Sequence, residues 1–408
     1  MMMREGAVVE ECRTVFPTLT GAAHTTLTTG LYPITHGVTS GFRFDSDCGK
    51  LRQLWMSDYA GRSIGELSAQ HGLVTGSVEE FSLFTRGANL YVHVPSHKVE
   101  EVRRFAKQVI ETKRPEVLFV TFFAVDDAGH IHGPDSRRVD EAVKSVDHAI
   151  GDLVHLIERS HKNRHALFVL TSDHGMVSVK RSVSTKLERR IRDASGQAHF
   201  SFLGRFAQVF SRSPTSRQEI VKSTVLDRAV DVVLEAAELV AMGTSDGRGN
   251  EILMSLAPNY SCLTGASRKL HGYHGGLDDL ETRVPLIFFG RHVRPSRLPF
   301  AETVDVTPTL AEYLGLRPER FEGSSLLKVL VEGPGTDGST DVWRELREIY
   351  KKRTQIVRDL TELKRTWAHG DIGDRRHTQE RARIVGQLPA LVGRSQRVRR
   401  GIARLPSN

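Results

Sequence analysis

The chain has 408 residues, of which 39% are hydrophobic and 26% charged, and it carries a formal net charge of +8. This length is sufficient for one large α/β core or two ordinary ones, and no apolar run approaches the roughly 18 residues that a membrane span needs. The cysteines, Cys12, Cys48 and Cys262, lie far apart without a CxxC pair, which argues against a disulfide framework and a thiolate zinc site. Any metal must therefore be held by nitrogen and oxygen atoms.

The N-terminal residues, MMMREGAVVEEC, read as the end of a helix, a turn and a strand from the middle of a domain. They contain no apolar segment of the length that a signal peptide requires. We therefore expect a cytoplasmic location for the chain as given, and an export signal encoded further upstream stays an open alternative.

The stretch RTVFPTLTGAAHTTLTTGLYPITHG, residues 13–37, joins a short strand to a helix of small residues. Pro17 ends the strand, and Gly30 and Pro33 close the helix. Thr20 should therefore lie at the helix N-terminus, where free N–H groups and the helix dipole favour an anion. Thr20 is either a nucleophile placed beside a phosphoryl group or an ordinary N-cap.

Apolar spacing downstream predicts an alternation of helices and strands. The helices are expected at 63–71, 99–113 and 135–160, and continuous apolar strands at 117–123 and 166–171. This alternation predicts a parallel or mixed sheet with helices on both faces. In such sheets ligands collect at the carboxyl ends of the strands.

The pattern divides the chain into five segments. The core begins in 1–176, is interrupted by short polar segments in 177–268 that we interpret as an inserted cap subdomain, and resumes in 269–331 with a strand at 284–290 and a helix at 304–316. Residues 332–340 have linker composition, and 341–408 form a basic helical tail.

Three segments near the predicted strands carry Asp and His, the side chains that hold Zn²⁺ without thiolates. AVDDAGHIHGP, after the strand at 117–123, offers Asp126 and His130 from a strand end and the following turn. TSDHG, which ends the next strand, offers Asp173 and His174. Each segment alone is equally consistent with a polar turn.

The third segment, LHGYHGG, offers His271 and His274 shortly before the strand at 284–290. Its glycines would let the backbone approach an ion or a phosphate. Together with Thr20, the three segments predict a site with two divalent cations about 4 Å apart, which would clamp the oxygens of an in-line displacement. A bound cation would also make the Thr20 hydroxyl acidic enough to attack.

With these residues the chain resembles the alkaline phosphatase superfamily, most closely its type I phosphodiesterase/nucleotide pyrophosphatase family. The resemblance covers roughly residues 5–318 and rests on the order and spacing of FPTLTGAAHTTLTTGLYPITHG, DDAGHIHGP, TSDHGM and YHGG followed by VPLIF. It implies an alkaline phosphatase-like α/β fold with a mixed, mostly parallel sheet, helices on both faces and an inserted cap. A Cys/Ser-x-Pro-x-Arg signature is absent from the sequence, which speaks against a sulfatase.

The resemblance also implies a role for each matched residue. Thr20 is expected to be the covalent nucleophile; Asp126, His130 and His274 the ligands of one zinc; and Asp173 and His174 ligands of the other. His274 is preferred to His271 because its distance from the strand at 284–290 resembles that of the family. The sequence does not indicate which residues hold the substrate.

The sequence departs from the family pattern at two places. The family's first strand carries an Asp that completes the second zinc site, at a position that would precede Met1. Without that strand the sheet lacks a central member, and we expect the second zinc to bind weakly. The other departure is Gly41, near which nucleotide-cleaving relatives carry an Asn that donates to the phosphoryl oxygen.

The resemblance implies a metal-dependent hydrolase that cleaves phosphodiester or pyrophosphate bonds through a phospho-threonine, with two divalent ions, expected to be Zn²⁺, and a phosphodiester or nucleotide-type substrate. Two alternatives stay open. One is a phosphonate hydrolase or phosphoryl transferase on the same scaffold. The other is a catalytically impaired, truncated homologue that acts as a binding protein.

The tail contains 17 Lys and Arg against 8 Asp and Glu. Residues 341–367 have the apolar spacing of a helix, which either docks on its own domain or forms a homodimer. Residues 375–404 are rich in Arg, interrupted by Gly and free of aromatic residues, so we expect a flexible, solvated extension. Contact of this tail with nucleic acid or an anionic membrane is a further alternative.

Overall fold

Strands and helices alternate along the chain, as the sequence predicts. A computed structural model of the chain describes residues 1–45, 50–54, 57–159, 165–246, 251–317, 320–333 and 341–402. The strands are β1 (Ala7–Val9), β2 (Cys12–Arg13), β3 (Phe42–Asp45), β4 (Lys50–Gln53), β5 (Thr75–Val78), β6 (Leu90–Val92), β7 (Val117–Val120), β8 (Leu167–Thr171), β9 (Val177–Ser182), β10 (His199–Leu203), β11 (Phe206–Phe210), β12 (Val230–Leu234), β13 (Glu251–Leu256), β14 (Asn259–Ser261), β15 (Gly272–Tyr273), β16 (Arg283–Val284), β17 (Leu286–Gly290), β18 (Ser296–Leu298) and β19 (Ala301–Glu302). The helices are α1 (Met2–Glu5), α2 (Thr20–Thr29), α3 (Pro33–His36), α4 (Ile64–Gln70), α5 (Val99–Thr112), α6 (Ala124–His132), α7 (Arg137–Glu158), α8 (Ser184–Ala194), α9 (Pro214–Val225), α10 (Ala236–Ala241), α11 (Asp279–Thr282), α12 (Val306–Tyr313), α13 (Leu327–Glu332), α14 (Asp341–His369), α15 (Asp374–Val385) and α16 (Leu388–Ile402).

The core combines parallel and antiparallel strand pairs. One sheet has the order β18-β1-β17-β8, in which β1 is parallel to β18 and antiparallel to β17. A second sheet, β6-β5-β7, is parallel throughout. Phe288 on β17, Leu330 on α13 and Trp343 on α14 share one buried cluster. The predicted α/β class with a mixed sheet is confirmed, although the strands are divided among several short sheets.

The two strands that lead into the candidate site, β7 and β8, are edge strands. Within the described residues, β7 pairs with β5 and β8 pairs with β17, each on one side only. Their continuous apolar sequences are typical of strands covered on both faces, whereas most of β7 and all of β8 are only half-buried. Since neither strand has a second neighbour in these ranges, its side chains stay partly accessible.

Residues 199–256 contain a separate antiparallel sheet of order β10-β11-β13-β12. Alternation along β11 sends Val209 into a cluster with α8 and α9. It sends Phe206 to the opposite face, where Phe206 packs against Phe16 and Leu19 just before α2. This sheet therefore supports the segment that carries Thr20, while the boundaries of a cap at 177 and 268 stay a prediction.

Helix α14 buries its apolar face against its own chain. Trp343 and Leu346 join the cluster around β17, and Val357 joins the cluster beneath α2. This agrees with docking on the same domain, one of the two alternatives for this helix. Dimerisation through 341–367 stays a prediction, and the predicted linker at 332–340 lies mostly outside the described residues.

The prediction that 375–404 is a flexible extension is wrong for its described part. Helices α15 and α16 cover most of it, and Arg399 is buried between Glu302 and Asp305, with which it forms ion pairs. Leu388 and Leu391 pack in one cluster with residues of α14.

Among the described helices, none is both long and apolar enough to cross a membrane.

Candidate active site

Thr20 is the first residue of α2 and not its N-cap, which is Leu19. Its side chain is half-buried, and its Oγ lies 3.2 Å from Nε2 of His174. Thr20 therefore does not serve merely as a helix cap. The hydroxyl lies where the first N–H groups of α2 have no partner within the helix, a position that favours a phosphoryl oxygen.

The buried threonines of helix α2 form hydrogen bonds within the helix itself. The Thr25 hydroxyl donates to the carbonyl of Gly21 over 2.7 Å, and the Thr29 hydroxyl donates to that of Thr25 over 2.6 Å. These bonds give hydrogen-bond partners to hydroxyl groups that are buried away from water. Gly30 ends the helix with φ of 67°, a left-handed conformation that glycine adopts without strain. Helix α2, which carries Thr20, thus has partners for these hydroxyls and a strain-free C-terminal end.

A first donor cluster consists of Asp126 and His130, one turn apart on α6, and His274, which follows β15. Nε2 of His130 lies 3.2 Å from Oδ2 of Asp126, and Nε2 of His274 lies 3.9 Å from Oδ1. One donor atom from each residue lies within 4.8 Å of the others. The predicted strand end and turn at 126–130 is wrong, because a helix presents both side chains at spacing i, i+4.

The backbone fixes which ring nitrogens face this cluster. Nδ1 of His130 lies 2.9 Å from the carbonyl oxygen of Gly272, and Nδ1 of His274 lies 2.8 Å from that of Thr18. Each Nε2 is therefore left to face Asp126. Such a bond at the far nitrogen is typical of histidines that ligate metals.

Electrostatics distinguish the members of the first cluster. Burial, together with the nearby His174, lowers the pKa of His274 to about 3, so its imidazole is neutral at physiological pH. Burial alone would raise the pKa of Asp126 and lower that of His130. The contact between the two residues outweighs burial, so the pKa of Asp126 is lowered and that of His130 is raised. A carboxylate and a neutral imidazole are therefore ready as ligands without loss of a proton.

A second donor cluster consists of Asp173 and His174, directly after β8. Oδ2 of Asp173 lies 3.0 Å from Nε2 of His174, the nitrogen that also faces Thr20. Although burial opposes it, the charge of His174 holds the pKa of Asp173 well below its usual range. The rings of His174 and His274 stack with centroids 3.6 Å apart, so the two clusters adjoin each other beside Thr20.

The sequence analysis missed two side chains that adjoin the second cluster, His24 and Glu80. His24 lies one turn after Thr20 on α2; its Nε2 is 3.4 Å from Oδ2 of Asp173, and its Nδ1 is 2.6 Å from Oε2 of Glu80. Despite burial, the charges of Glu80 and Asp173 raise the pKa of His24 to about 10. The spacing of four residues from Thr20 is the signal that could have identified His24.

The loop that carries His274 is held by contacts that no local pattern indicated. The Thr18 hydroxyl donates to the carbonyl of Gly276 and accepts from the N–H of Gly275. The carboxylate of Glu281 accepts from the N–H of Gly276 and forms a fully buried ion pair with Arg205. The segment before α2 and the sheet at 199–256 thus both fix the position of His274.

The donors present fit a metal site. Oδ1 of Asp126 is buried and has no hydrogen-bond partner among the described residues. A buried oxygen without a hydrogen-bond partner is expected where the oxygen is a metal ligand. The donor set of carboxylates and imidazoles suits Zn²⁺ and similar divalent ions. The first cluster offers three protein ligands, whereas the second offers Asp173, His174 and the Thr20 hydroxyl.

A comparison with protein families decides the affiliation of the chain. The model of the type I phosphodiesterase/nucleotide pyrophosphatase family matches residues 1–240, more than half of the chain. The chain belongs to this family. The resemblance predicted from the motifs is thereby confirmed, and the matched range includes Thr20, Asp126, His130 and the second cluster.

Two individual proteins are moderately similar to this chain in sequence. Mouse ectonucleotide pyrophosphatase/phosphodiesterase family member 7 is 29% identical over 211 residues, which cover 46% of this chain and 47% of that protein. GPI ethanolamine phosphate transferase 1 of the fungus Gibberella zeae is 27% identical over 176 residues, 39% of this chain and 18% of that protein. The chain thus spans about half or less of the length of these relatives.

The solved structure of murine ectonucleotide pyrophosphatase/phosphodiesterase 5 superimposes with a TM-score of 0.66 at 22% identity, covering 79% of this chain and 91% of that chain. This similarity shows the fold.

Two further residues that the sequence singled out are His271, the alternative to His274, and Gly41, a departure from the family pattern. His271 is exposed and lies outside the group of converging donors that contains His274. Gly41 is exposed with open space around it, so no side chain at that position supplies the donor expected of an Asn.

Proposed function

We propose that the chain is a metal-dependent hydrolase that cleaves phosphodiester or pyrophosphate bonds through a phospho-threonine at Thr20. The observation that carries this proposal is the position of the Thr20 hydroxyl, at the start of α2 and 3.2 Å from Nε2 of His174, where the two donor clusters adjoin. A nucleophile, a helix N-terminus and two sets of metal donors are the parts that such a displacement requires.

The reaction has two steps. In the first, Oγ of Thr20 releases its proton to solvent and forms a bond to phosphorus, while the bond from phosphorus to the leaving oxygen breaks and that oxygen takes up a proton from solvent. In the second, a water oxygen attacks phosphorus and loses a proton, the bond from phosphorus to Oγ breaks, and Oγ takes up a proton, which restores the Thr20 hydroxyl. The N–H groups at the start of α2 face the oxygens of the transferred group and stabilise their charge.

The donors define where cations would be held. Asp126, His130 and His274 would hold one ion, and Asp173 and His174 the other, with Zn²⁺ the expected metal. When bound, the two ions supply charge neutralisation on the phosphoryl oxygens and lower the pKa of the attacking hydroxyl. The chain's own contribution is to fix the Nε2 atoms of its histidines toward the site through the Nδ1 contacts of His130 and His274.

A nucleotide-type phosphodiester or pyrophosphate is the proposed substrate class, supported by the family model and by the name of the mouse relative. A second candidate is transfer of the phosphoryl-containing group to an acceptor other than water. It is favoured by the similarity to a phosphate transferase from Gibberella zeae. In that case an alcohol replaces water in the second step.

The proposal predicts the effect of Thr20→Ala on turnover of bis-p-nitrophenyl phosphate. Because the variant lacks the attacking oxygen, turnover should fall at least about 1,000-fold, while zinc content changes little since five side-chain donors remain. The measurement combines p-nitrophenol release with metal analysis of the same preparation.

Thr35→Ala is the matched control, because Thr35 is exposed on α3 and should retain full turnover. Undiminished turnover by Thr20→Ala would contradict the nucleophile assignment. A metal-loaded wild-type chain without turnover would instead favour the impaired homologue that acts as a binding protein.

A further inference from the structure

Three buried side chains from distant parts of the chain form a continuous line beneath the second donor cluster. Asp173 follows β8, His24 lies on α2, and Glu80 follows β5. Nε2 of His24 is 3.4 Å from the Asp173 carboxylate and Nδ1 is 2.6 Å from the Glu80 carboxylate. His24 and Glu80 are 5% and 3% exposed, too buried to meet the substrate by themselves. The two ring nitrogens of His24 are thus committed to two different carboxylates.

Glu80 is itself fixed in place. Its Oε1 accepts hydrogen bonds from the hydroxyl of Ser82 over 2.7 Å and from the Ser82 N–H over 3.2 Å. Its Oε2 accepts from the hydroxyl of Thr121, just after β7, over 3.3 Å. Glu80 therefore supplies a rigid anchor for Nδ1 of His24.

The His24 ring is also confined by aromatic neighbours. The ring of Phe81 lies with its centroid 4.6 Å away, and that of Phe123, directly before α6, lies 6.5 Å away in a stacked orientation. The centroids of Phe81 and Phe123 are 6.3 Å from each other, so both rings lie to one side of His24. With Nδ1 held by Glu80, Nε2 keeps one direction. That direction is toward Asp173.

We propose that His24 is a positioning residue that orients the Asp173 carboxylate toward the second cation, and that Glu80 acts through His24. This inference rests on the proposed function, in which Asp173 and His174 are ligands. When Nε2 of His174 binds a cation, it no longer contacts the Asp173 carboxylate. His24 is then the imidazole that remains in contact with Oδ2 of Asp173. An imidazole that contacts a ligating carboxylate in this way fixes the direction of the carboxylate and tunes metal affinity.

The arrangement also explains why a site with few protein ligands needs this support. The second cluster offers two side chains and the Thr20 hydroxyl, so an error in the direction of one carboxylate removes a large part of the coordination. His24 lies one turn after Thr20 on the same helix. Thr20 and the imidazole that contacts Asp173 are therefore carried by one helix.

The test is a titration of the metal-free full chain with Zn²⁺, with the heat of binding measured by calorimetry. Wild type should bind two equivalents. His24→Ala should bind the second equivalent about 10- to 100-fold more weakly and the first, at Asp126, His130 and His274, unchanged. Glu80→Gln should weaken the second equivalent in the same direction but less, because the amide still accepts from Nδ1.

A double variant separates positioning from loss of structure. His24→Ala leaves the Glu80 carboxylate buried without its partner, so His24→Ala combined with Glu80→Gln removes that charge as well. Because Glu80 acts through His24, the double variant should bind the second equivalent as weakly as His24→Ala alone. His36→Gln is the matched control: His36 is a buried histidine 3.0 Å from the Thr26 hydroxyl, and the variant should keep both affinities even where stability falls.

Three outcomes would overturn the inference. The first is wild-type affinity for the second equivalent in His24→Ala, and the second is an additive effect of Glu80→Gln in the double variant. The third is a shift of the visible absorption bands in cobalt-saturated His24→Ala, since a positioning residue leaves the ligand set intact whereas a direct ligand changes it. If the wild-type chain binds no second equivalent, the proposed function fails together with this inference; failure in the variants alone leaves the proposed function standing.

Discussion

The histidines of the site differ in their readiness to bind a cation. His274 is neutral because burial and the nearby His174 lower its pKa to about 3. In His130 and His174 burial acts in the same direction, but contacts with Asp126 and Asp173 outweigh it and raise the pKa above the ordinary value of 6.5. These two imidazoles must therefore lose a proton before Nε2 binds a metal.

The raised pKa values predict a pH dependence of metal affinity. A cation competes with the protons on His130 and His174, so affinity should be low at about pH 6 and increase as pH rises toward about pH 8. The measurement is the Zn²⁺ dissociation constant of the metal-free chain, determined by chelator competition across this range. Equal affinity at both ends would contradict the pKa shifts of these two residues.

At the level of residues, the motifs predicted the donors that the structure brings together but not their supports. Asp126, His130 and His274 were identified from the type and spacing of their side chains. Thr18 and Glu80 were missed, because each contributes through a partner far away in sequence, such as the carbonyl of Gly276 or the ring of His24. A contact of that range leaves no local pattern.

At the level of elements, α6 differs from the prediction for its sequence. AVDDAGHIHGP was interpreted as a strand end and the following turn, and it contains Gly129, a residue type that is common in turns. That glycine lies within α6, where a Cβ would approach Sδ of Met176 to 2.6 Å. Gly129 thus packs against the end of the Met176 side chain and does not form a turn, and the helix continues to His132.

Helix α16 was misread for a related reason. Its sequence is rich in Arg, which is typical of a solvated segment, and the carboxylates that neutralise Arg399 belong to Glu302 and Asp305, nearly a hundred residues earlier. Arg353 on α14 adds a further contact to Glu302 at 3.5 Å. The docking of the tail depends on these tertiary ion pairs, which sequence periodicity does not reveal.

This docking predicts that Arg399→Met destabilises the chain by about 3–5 kcal/mol, because Asp305 would stay buried without its cation and Glu302 would keep only the contact with Arg353. Arg400→Met is the matched control, since Arg400 is the adjacent exposed residue and its loss should change stability by less than about 0.5 kcal/mol. The measurement is urea unfolding of both variants. Equal midpoints for the two variants would show that the Arg399 ion pairs do not hold α16 in place.

At the level of the whole molecule, the site is assembled at the ends of strands from different sheets. Asp126 follows β7, which belongs to the parallel sheet, and Asp173 follows β8, which belongs to the mixed sheet. The sequence predicted this alternation of strands and helices because apolar periodicity is local. It did not predict the separation into short sheets, or that β7 and β8 each pair on one side only in the part of the chain that the structure describes, since strand pairing depends on contacts between distant segments.

The central claim is that Thr20 becomes covalently linked to the phosphoryl group during turnover. The most direct measurement is rapid acid quench of the metal-loaded chain during turnover, followed by mass spectrometry of its peptides. The account predicts a phosphoryl-containing adduct on Thr20 in the wild-type chain and its absence from Thr20→Ala. Turnover without any adduct on Thr20, or with an adduct on another residue, would contradict it.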